Sequence, residues 1–466
     1  MGKTLNVTNP ANGELVGALE LTDAGKMQEI IQKANGTKRL WAETPLYRKT
    51  ALMHKFLQLL EDNVEDIAVT LSKEMGKPIV QSRAETAGSV NIARAFAERA
   101  NHLYGEVLPT DNQPGFEQDF IFTKREPLGV IACIIPFNYP IELFIHKVAP
   151  ALMMGNVVIV KAPTKNPLAM MKLSALFEKA GFPDGVVQSL VCEREVSNEY
   201  LVAGKNIDAI SLTGSTKAGV EMLKNGAATM KHIFLELGGN DGTIIREDAD
   251  LDFAVEEVTA GRIFNAGQTC CACKRVIVHE SIKDAFVEKL LAKFRGLKQG
   301  DALDETIDLS TVISEEAAKT IEKQIRHTIA QGAECITGGK RDGAFIQPTI
   351  LTEVTKDMDV ASDLEIFGPV IPVISYRTDE EAVEILNQPQ YGLSSGIITK
   401  DVKKAMQMGT HIEAGAVVLN GQCSYRHMEQ GFGGYKMTGH AREGVSSTLE
   451  EHSKTKHYIM KGIWGR

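Results

Sequence analysis

The chain has 466 residues, of which 43% are hydrophobic, 24% charged and 6% aromatic, the make-up of an ordinary globular protein rather than a disordered or fibrous one. Its 51 basic against 60 acidic side chains leave a net charge of −9, so no positive field draws it to nucleic acid or to a membrane surface. Seven cysteines, odd in number and irregularly spaced, argue against a disulfide framework, and Met1 to Val7 carry no apolar signal run; both point to a cytoplasmic protein.

The first hundred residues read as mostly helical. Leu52, Met53, Phe56, Leu57, Leu59 and Leu60 fall at helical spacing between Lys49 and Glu61, and the pattern resumes over Glu85 to Tyr104 after the Gly76-Lys77-Pro78 break. Residues 109–128, with Phe120-Ile121-Phe122 between polar neighbours, predict extended chain outside any core. The most apolar stretch, Leu128 to Ile145, holds Pro136, Asn138, Pro140 and Glu142, which hydrocarbon would penalise, so it reads as two core elements joined by a turn.

From 129 to 238 short β-rich runs alternate with helical segments. Strands are predicted at 130–135, 156–160, 185–191, 208–212 and 232–235, and helices at 141–154, 167–179 and 218–225. The alternation predicts βαβ units and an open parallel sheet, whose ligands bind at the carboxyl ends of the strands. Those ends carry Pro136-Phe137-Asn138-Tyr139-Pro140, Lys161-Ala162-Pro163-Thr164, Thr213-Gly214-Ser215-Thr216 and Glu236-Leu237-Gly238-Gly239. A second βα alternation runs from Asp250 to about Gly415, opening with a helix over 251–267 and a strand over 276–279. The tail after 440 ends in an extended run over 456–463, and exposed strand edges of this kind invite pairing between subunits.

Cys270-Cys271-Ala272-Cys273 follows Gly267-Gln268-Thr269 at a helix-to-strand junction. A zinc site lacks a second ligand pair at suitable spacing, and a redox dithiol normally leads a helix rather than a strand. Buried structural cysteines and a single nucleophilic thiol remain. The second reading gains from Glu236 and Asn138 at other strand ends, because a thiol that attacks a carbonyl needs a general base and an oxyanion donor.

In their order along the chain these blocks, with Glu365-Ile366-Phe367-Gly368-Pro369, Asn420 and Phe432-Gly433-Gly434-Tyr435-Lys436, resemble the aldehyde dehydrogenase superfamily over essentially the whole length. The resemblance implies two open α/β domains and a small β region: a dinucleotide-binding domain over 1–108 and 129–236, a catalytic domain over 237–440, and oligomerisation strands over 109–128 and 441–466. It implies oxidation of an aldehyde to the carboxylic acid with NAD(P)⁺, without a metal, through a thiohemiacetal and a thioester. Cys270 would be the nucleophile, Asn138 the oxyanion donor, and Glu236 the base that activates the hydrolytic water. Members that pass the acyl group to coenzyme A generally lack this glutamate, so a free acid is expected.

Coenzyme contacts would come from Lys161, Thr164, Gly214, Ser215, Gly219, Glu365 and Phe367, with Pro136 and Phe137 lining the cleft. Most NAD-specific members carry a glutamate at the position of Thr164, so either NAD or NADP is expected, with NADP favoured. Tyr139, Thr269 and Arg426 would face the substrate. The segment around Arg426 resembles the branch of lactaldehyde, glyceraldehyde-3-phosphate and succinate-semialdehyde dehydrogenases, in which an arginine there faces an anionic group. Thr269 stands where the glyceraldehyde-3-phosphate enzymes have an arginine and His146 where succinate-semialdehyde enzymes often have one, and both losses weigh against a doubly charged substrate; a semialdehyde or phosphorylated-aldehyde specialist is the alternative within the family. A catalytically silent structural member is the alternative from another class. A homodimer or homotetramer is expected.

Overall fold

The structure is a computed structural model that describes residues 2–465. Five short aliphatic runs pair in parallel as β1 (Val130–Ile134), β2 (Val157–Lys161), β3 (Val187–Leu190), β4 (Ala209–Thr213) and β5 (His232–Glu236), in the order β3-β2-β1-β4-β5. All five residues of β1 and of β4 are buried, as expected of parallel strands covered on both faces. Two helices frame the sheet: α1 (Pro140–Met153), entered through a proline in its first turn, and α2 (Thr216–Gly226), capped by the Ser215 hydroxyl accepting from the Ala218 N–H.

The N-terminal helices Leu46–Asp62 and Ile79–Ala100 pack against this layer, and Phe56, Phe96, Phe144 and Phe177 share one core with β1 and β2. The strand order reverses direction between β1 and β4. That reversal opens a crevice at their carboxyl ends, the place where open α/β sheets take ligands.

A second, seven-stranded sheet is built from residues 242–419 and is parallel except at Glu334–Thr337, which pairs antiparallel at one edge. Its buried face carries Ile244, Ile277, Val370 and Ile397. Ser453–Met460, Phe120–Pro127 and Val107–Leu108 form a separate antiparallel sheet. No helix among the described residues is long and apolar enough to cross a membrane.

Three segments differ from the sequence expectations. Thr4–Thr8 and Leu15–Glu20 form a hairpin in the stretch read as helical; only Val7 within it is fully buried, so its alternation is faint. The helix expected over 251–267 ends at Ile263, because Asn265, Ala266 and Gly267 all take positive φ. Within the tail, Val445–Glu451 is a helix whose Val445 and Leu449 join the first core, and strand begins only at Ser453.

Candidate active site

A cleft of about 430 Å³ lies over the carboxyl ends of β1, β2, β4 and β5 and reaches the second sheet's domain. Its walls bring together Asn138, Lys161, Thr164, Ser215, Glu236, Cys270, Glu365 and Phe367, residues spread over more than two hundred positions of sequence. Of the residues singled out in the sequence, Pro136, Phe137 and Gly214 line the same cleft. Gly219 lies one helical turn along α2, where a Cβ would sit 2.7 Å from Leu237 and push the helix off the segment that follows β5.

Cys270 is placed by an unusual turn. Asn265 and Ala266 hold φ near +52° and +51°, and a Cβ on Gly267 would meet the Gly368 carbonyl at 2.3 Å. Left-handed non-glycine residues in succession are strained, at about 1–3 kcal/mol each, and persist only where surroundings hold them. Here Asn265 donates through Nδ2 to the Asn138 and Gln268 carbonyls at 3.1 and 3.2 Å, and Gln268 accepts from the Ile313 N–H at 2.8 Å. The turn that presents the thiol is thereby tied to the backbone of Asn138. Cys273 points elsewhere, its Sγ 3.2 Å from Thr243 Oγ1, while Cys270 is the more accessible thiol at the cleft.

Glu236 closes β5 with 1% of its surface exposed, and neither carboxylate oxygen has a hydrogen-bond partner. Burial first, then the neighbouring Cys270 and the Glu443 carboxylate, hold it well above the usual carboxylate range, against the pull of Arg426 and Lys147. The Cys270 thiol is raised by the hydrogen bond it donates to Cys271 and by burial, and drawn down by Lys274 and Arg426. Beside Glu236 the Asn138 side chain is buried with its Oδ1 unpartnered, while its backbone carbonyl accepts from Lys77 Nζ at 2.8 Å. A carboxyl without a hydrogen-bond partner, a thiol and an amide whose Oδ1 is unpartnered therefore share one end of the cleft.

The matching family model is that of the aldehyde dehydrogenase family, over residues 1–458. A lactaldehyde dehydrogenase from Methanococcus aeolicus is 35% identical over 98% of this chain and 97% of its own, and a 3-sulfolactaldehyde dehydrogenase from Pseudomonas putida is 33% identical over 99% and 94%. The solved glyceraldehyde-3-phosphate dehydrogenase from Methanocaldococcus jannaschii, complexed with NADP, superposes with a TM-score of 0.94 at 35% identity, covering 98% of this chain and 99% of that one. The chain belongs to the aldehyde dehydrogenase family. It is an NAD(P)-dependent oxidoreductase acting on aldehydes.

The residues of this aldehyde dehydrogenase fit a dinucleotide along the cleft. Lys161, half-buried at the end of β2, finds only the Ala162 carbonyl at 3.3 Å among the described residues, and desolvation lowers its pKa; a cation so placed lacks a charged acceptor. The first turn of α2 offers backbone N–H groups suited to a pyrophosphate. At the other end Glu365 Oε2 lies 2.8 Å from the point where a Cβ on Gly238 would stand, so only glycine admits the carboxylate. Phe367 meets Phe137 edge to face, with ring centroids 6.0 Å apart.

On the substrate side, Tyr139 Oη lies 3.3 Å from Thr269 Oγ1, and the Tyr139 ring carries Lys77 Nζ 3.8 Å over its face. Arg426 is neither on the surface nor free. It donates to Glu443 at 3.0 Å, approaches Glu142 at 3.7 Å, and lies 4.4 Å over the Phe432 ring. His146 is buried edge-on to Phe96 and held neutral, its pKa driven down to about 3 by burial and by Arg426.

Sequence reading missed the charged cluster behind Glu236. Lys147 Nζ contacts Glu443 at 2.8 Å, Glu443 accepts from Thr213 Oγ1 at 3.0 Å, and Glu443 is held far below the carboxylate range by Lys147 and Arg426 despite burial. The signal was a lysine in the otherwise apolar run of α1, since a buried cation requires a partner.

Proposed function

We propose that this enzyme oxidises a short hydroxylated aldehyde of the lactaldehyde class to its acid, with NADP⁺ as preferred coenzyme. The observation that carries the chemistry is the convergence of the Cys270 thiol, the partnerless Glu236 carboxyl and the free Asn138 amide at one end of the cleft. In this reading Glu236, once ionised, takes the Cys270 proton, and the sulfur bonds to the aldehyde carbon. The Asn138 amide and the Cys270 N–H hold the oxyanion. Bound NADP⁺ supplies the hydride acceptor. As the carbon–oxygen double bond re-forms, the thiohemiacetal becomes a thioester. Glu236 passes the thiol proton to solvent and then withdraws a proton from water, the water oxygen bonds to the acyl carbon, and the carbon–sulfur bond breaks to release acid and thiolate.

Lys161 and Ser215 are assigned to the adenosine half of the coenzyme, Glu365 to the nicotinamide ribose, and Phe367 to the ring. The layer of 1–108 and 129–236 would serve as dinucleotide-binding domain and 237–440 as catalytic domain. Thr164, with Lys165 beside it in the same wall, supports NADP: the 2′-phosphate meets a hydroxyl and a cation and no carboxylate. Arg426 already shares its charge between Glu443 and Glu142, which favours a neutral or singly charged substrate over a phosphorylated one. The Tyr139 and Thr269 hydroxyls suit a hydroxyl on the aldehyde, and the relatives named for lactaldehyde and sulfolactaldehyde agree with that choice.

The test follows nicotinamide reduction with purified enzyme, both coenzymes, and lactaldehyde, 3-sulfolactaldehyde, succinate semialdehyde and glyceraldehyde 3-phosphate, with Cys270→Ala as the blank. The hydroxylated, unphosphorylated aldehydes should give the highest kcat/KM, and Thr164→Glu should raise the KM for NADP⁺ by about a hundredfold while sparing NAD⁺. Preference for the phosphorylated aldehyde, or activity surviving in the blank, overturns the reading.

The outlying sheet supports a homo-oligomer. Its outer strand Ser453–Met460 is unpaired on one side, and Ile459 and Trp464 are 61% and 67% exposed. Light scattering should give a dimer or tetramer for the full chain and a smaller species when the chain stops after His452; an unchanged mass would exclude this edge as the interface.

A further inference from the structure

Four residues beyond the nucleophile stands a cation with no place in the scheme above. Lys274 is 2% exposed, and its ammonium donates to the backbone carbonyl of Cys270 and to that of Gly239 at 2.6 Å. It also pairs with Glu365 Oε1 at 2.8 Å. Burying a lysine is costly unless its charge is paired and its donors are used, and here two N–H groups donate to carbonyls while the charge faces Glu365. What is unusual is where the two hydrogen bonds and the ion pair go: to the turn that presents the thiol, to the segment following Glu236, and to Glu365 at the far end of the cleft.

We infer that Lys274 is a positioning residue that sets the nucleophile and the ribose-binding carboxylate in one register. Fixing the Cys270 carbonyl fixes the peptide plane on that side of the nucleophile and with it the direction of the thiol. Occupying Oε1 of Glu365 leaves Oε2, beside Gly238, to accept from ribose hydroxyls. A single ammonium thus links the turn that presents the thiol to the Glu365 carboxylate, and a shift of either group is felt by the other. Reactions of this kind lose rate steeply when the reacting atoms are misplaced by about 1 Å. The inference rests on the roles proposed above for Cys270 and Glu365.

The same ammonium bears on the charge of the thiol. The groups that face Cys270 are Cys271, the Glu236 carboxyl, Arg426 and Lys274; those that face Lys274 from behind are Glu365 and Asp241, the latter pushed up to about 7 by burial. Removing the Lys274 charge should raise the apparent pKa of Cys270, and removing the Glu365 charge should lower it, because Lys274 is then less neutralised. Opposite movements from two residues that do not both touch the thiol are what a merely structural lysine would not produce.

The experiment measures the rate of Cys270 alkylation by iodoacetamide against pH in the coenzyme-free enzyme, with the adduct assigned by mass spectrometry, and the steady-state KM for NADP⁺. Lys274→Met should raise the apparent thiol pKa by about one to two units and the coenzyme KM by about tenfold, the weight of one charge-assisted hydrogen bond. Lys274→Arg should recover most of the thiol shift. Glu365→Gln, nearly isosteric and at a partly exposed position, keeps the test open if Lys274→Met does not fold: it should raise the coenzyme KM and lower the thiol pKa. A Glu365→Gln enzyme with a raised KM and an unmoved thiol profile overturns the link while leaving the ribose assignment standing. Folded Lys274→Met with both readouts unchanged overturns it outright. An adduct on a cysteine other than Cys270 overturns the nucleophile reading and this inference together.

Discussion

Glu236→Gln should turn steady oxidation into a single burst. About one coenzyme per active site is reduced as the thioester forms, and the following steady rate falls by about 10²–10⁴-fold because the water is no longer activated. The substitution is close to a pure chemical deletion. Glu236 is buried and its pKa is raised by that burial, so a glutamine of the same shape stands where the surroundings already disfavour charge, and thermal stability should hardly change. Its two oxygens engage no protein group, so no hydrogen bond is lost with them.

The pH dependence carries the second half of that prediction. A base must be ionised to act, and this one has its pKa raised, so kcat should climb with pH well above the range in which an exposed glutamate, at about 4.3, is already ionised. In Glu236→Gln the climb should vanish from the steady rate, while the burst recovers as pH approaches the ionisation of Cys270 itself. Stopped-flow absorbance resolves the two phases. A linear trace without a burst, or a steady rate equal to that of the unaltered enzyme, would remove Glu236 from the deacylation step.

Much of this site was legible before any coordinates. Lys161 and Glu236 close strands, and Asn138 and Ser215 lie in the turns that follow strands; a strand ending in glycine or polar residues is a local signal that also says where the side chain must lie. The alternation that produced the five strands depends on neighbours in sequence, and it survived in the fold. What escaped depends on distant partners or on backbone that composition does not announce. Asn265 and Ala266 are not glycines, so nothing local foretold their left-handed turn; partners met in the folded chain, among them the Asn138 carbonyl and the Gln81 side chain, hold it. Lys147 and Glu443 lie 296 positions apart, and Arg426, read as facing substrate, is committed to that same carboxylate. The N-terminal hairpin was missed for the opposite reason: it buries too little to leave a pattern.

The largest stability effect should come from Glu443→Ala. Glu443 is 5% exposed and is the shared counter-ion of Lys147 and Arg426, with Thr213 donating to it as well. Removing one member of a buried ion pair strands the others in a medium that solvates them poorly, at a cost of about 3–5 kcal/mol. Its folded pKa is depressed below the unfolded value of about 4.3, so its contribution is complete above that value and is lost as pH falls through the folded pKa. The stability gap between the two proteins, read by scanning calorimetry, should therefore be constant from about pH 5 upward and narrow below about pH 4. The same substitution carries a catalytic signature. Glu443 helps hold the Glu236 pKa up while Lys147 and Arg426 pull it down, so without Glu443 the rising limb of the kcat profile should move to lower pH. A variant with unchanged melting and an unmoved limb would mean that the cluster neither supports the first core nor sets the electrostatics of the base. A variant that melts early but keeps the limb in place would confine Glu443 to the fold.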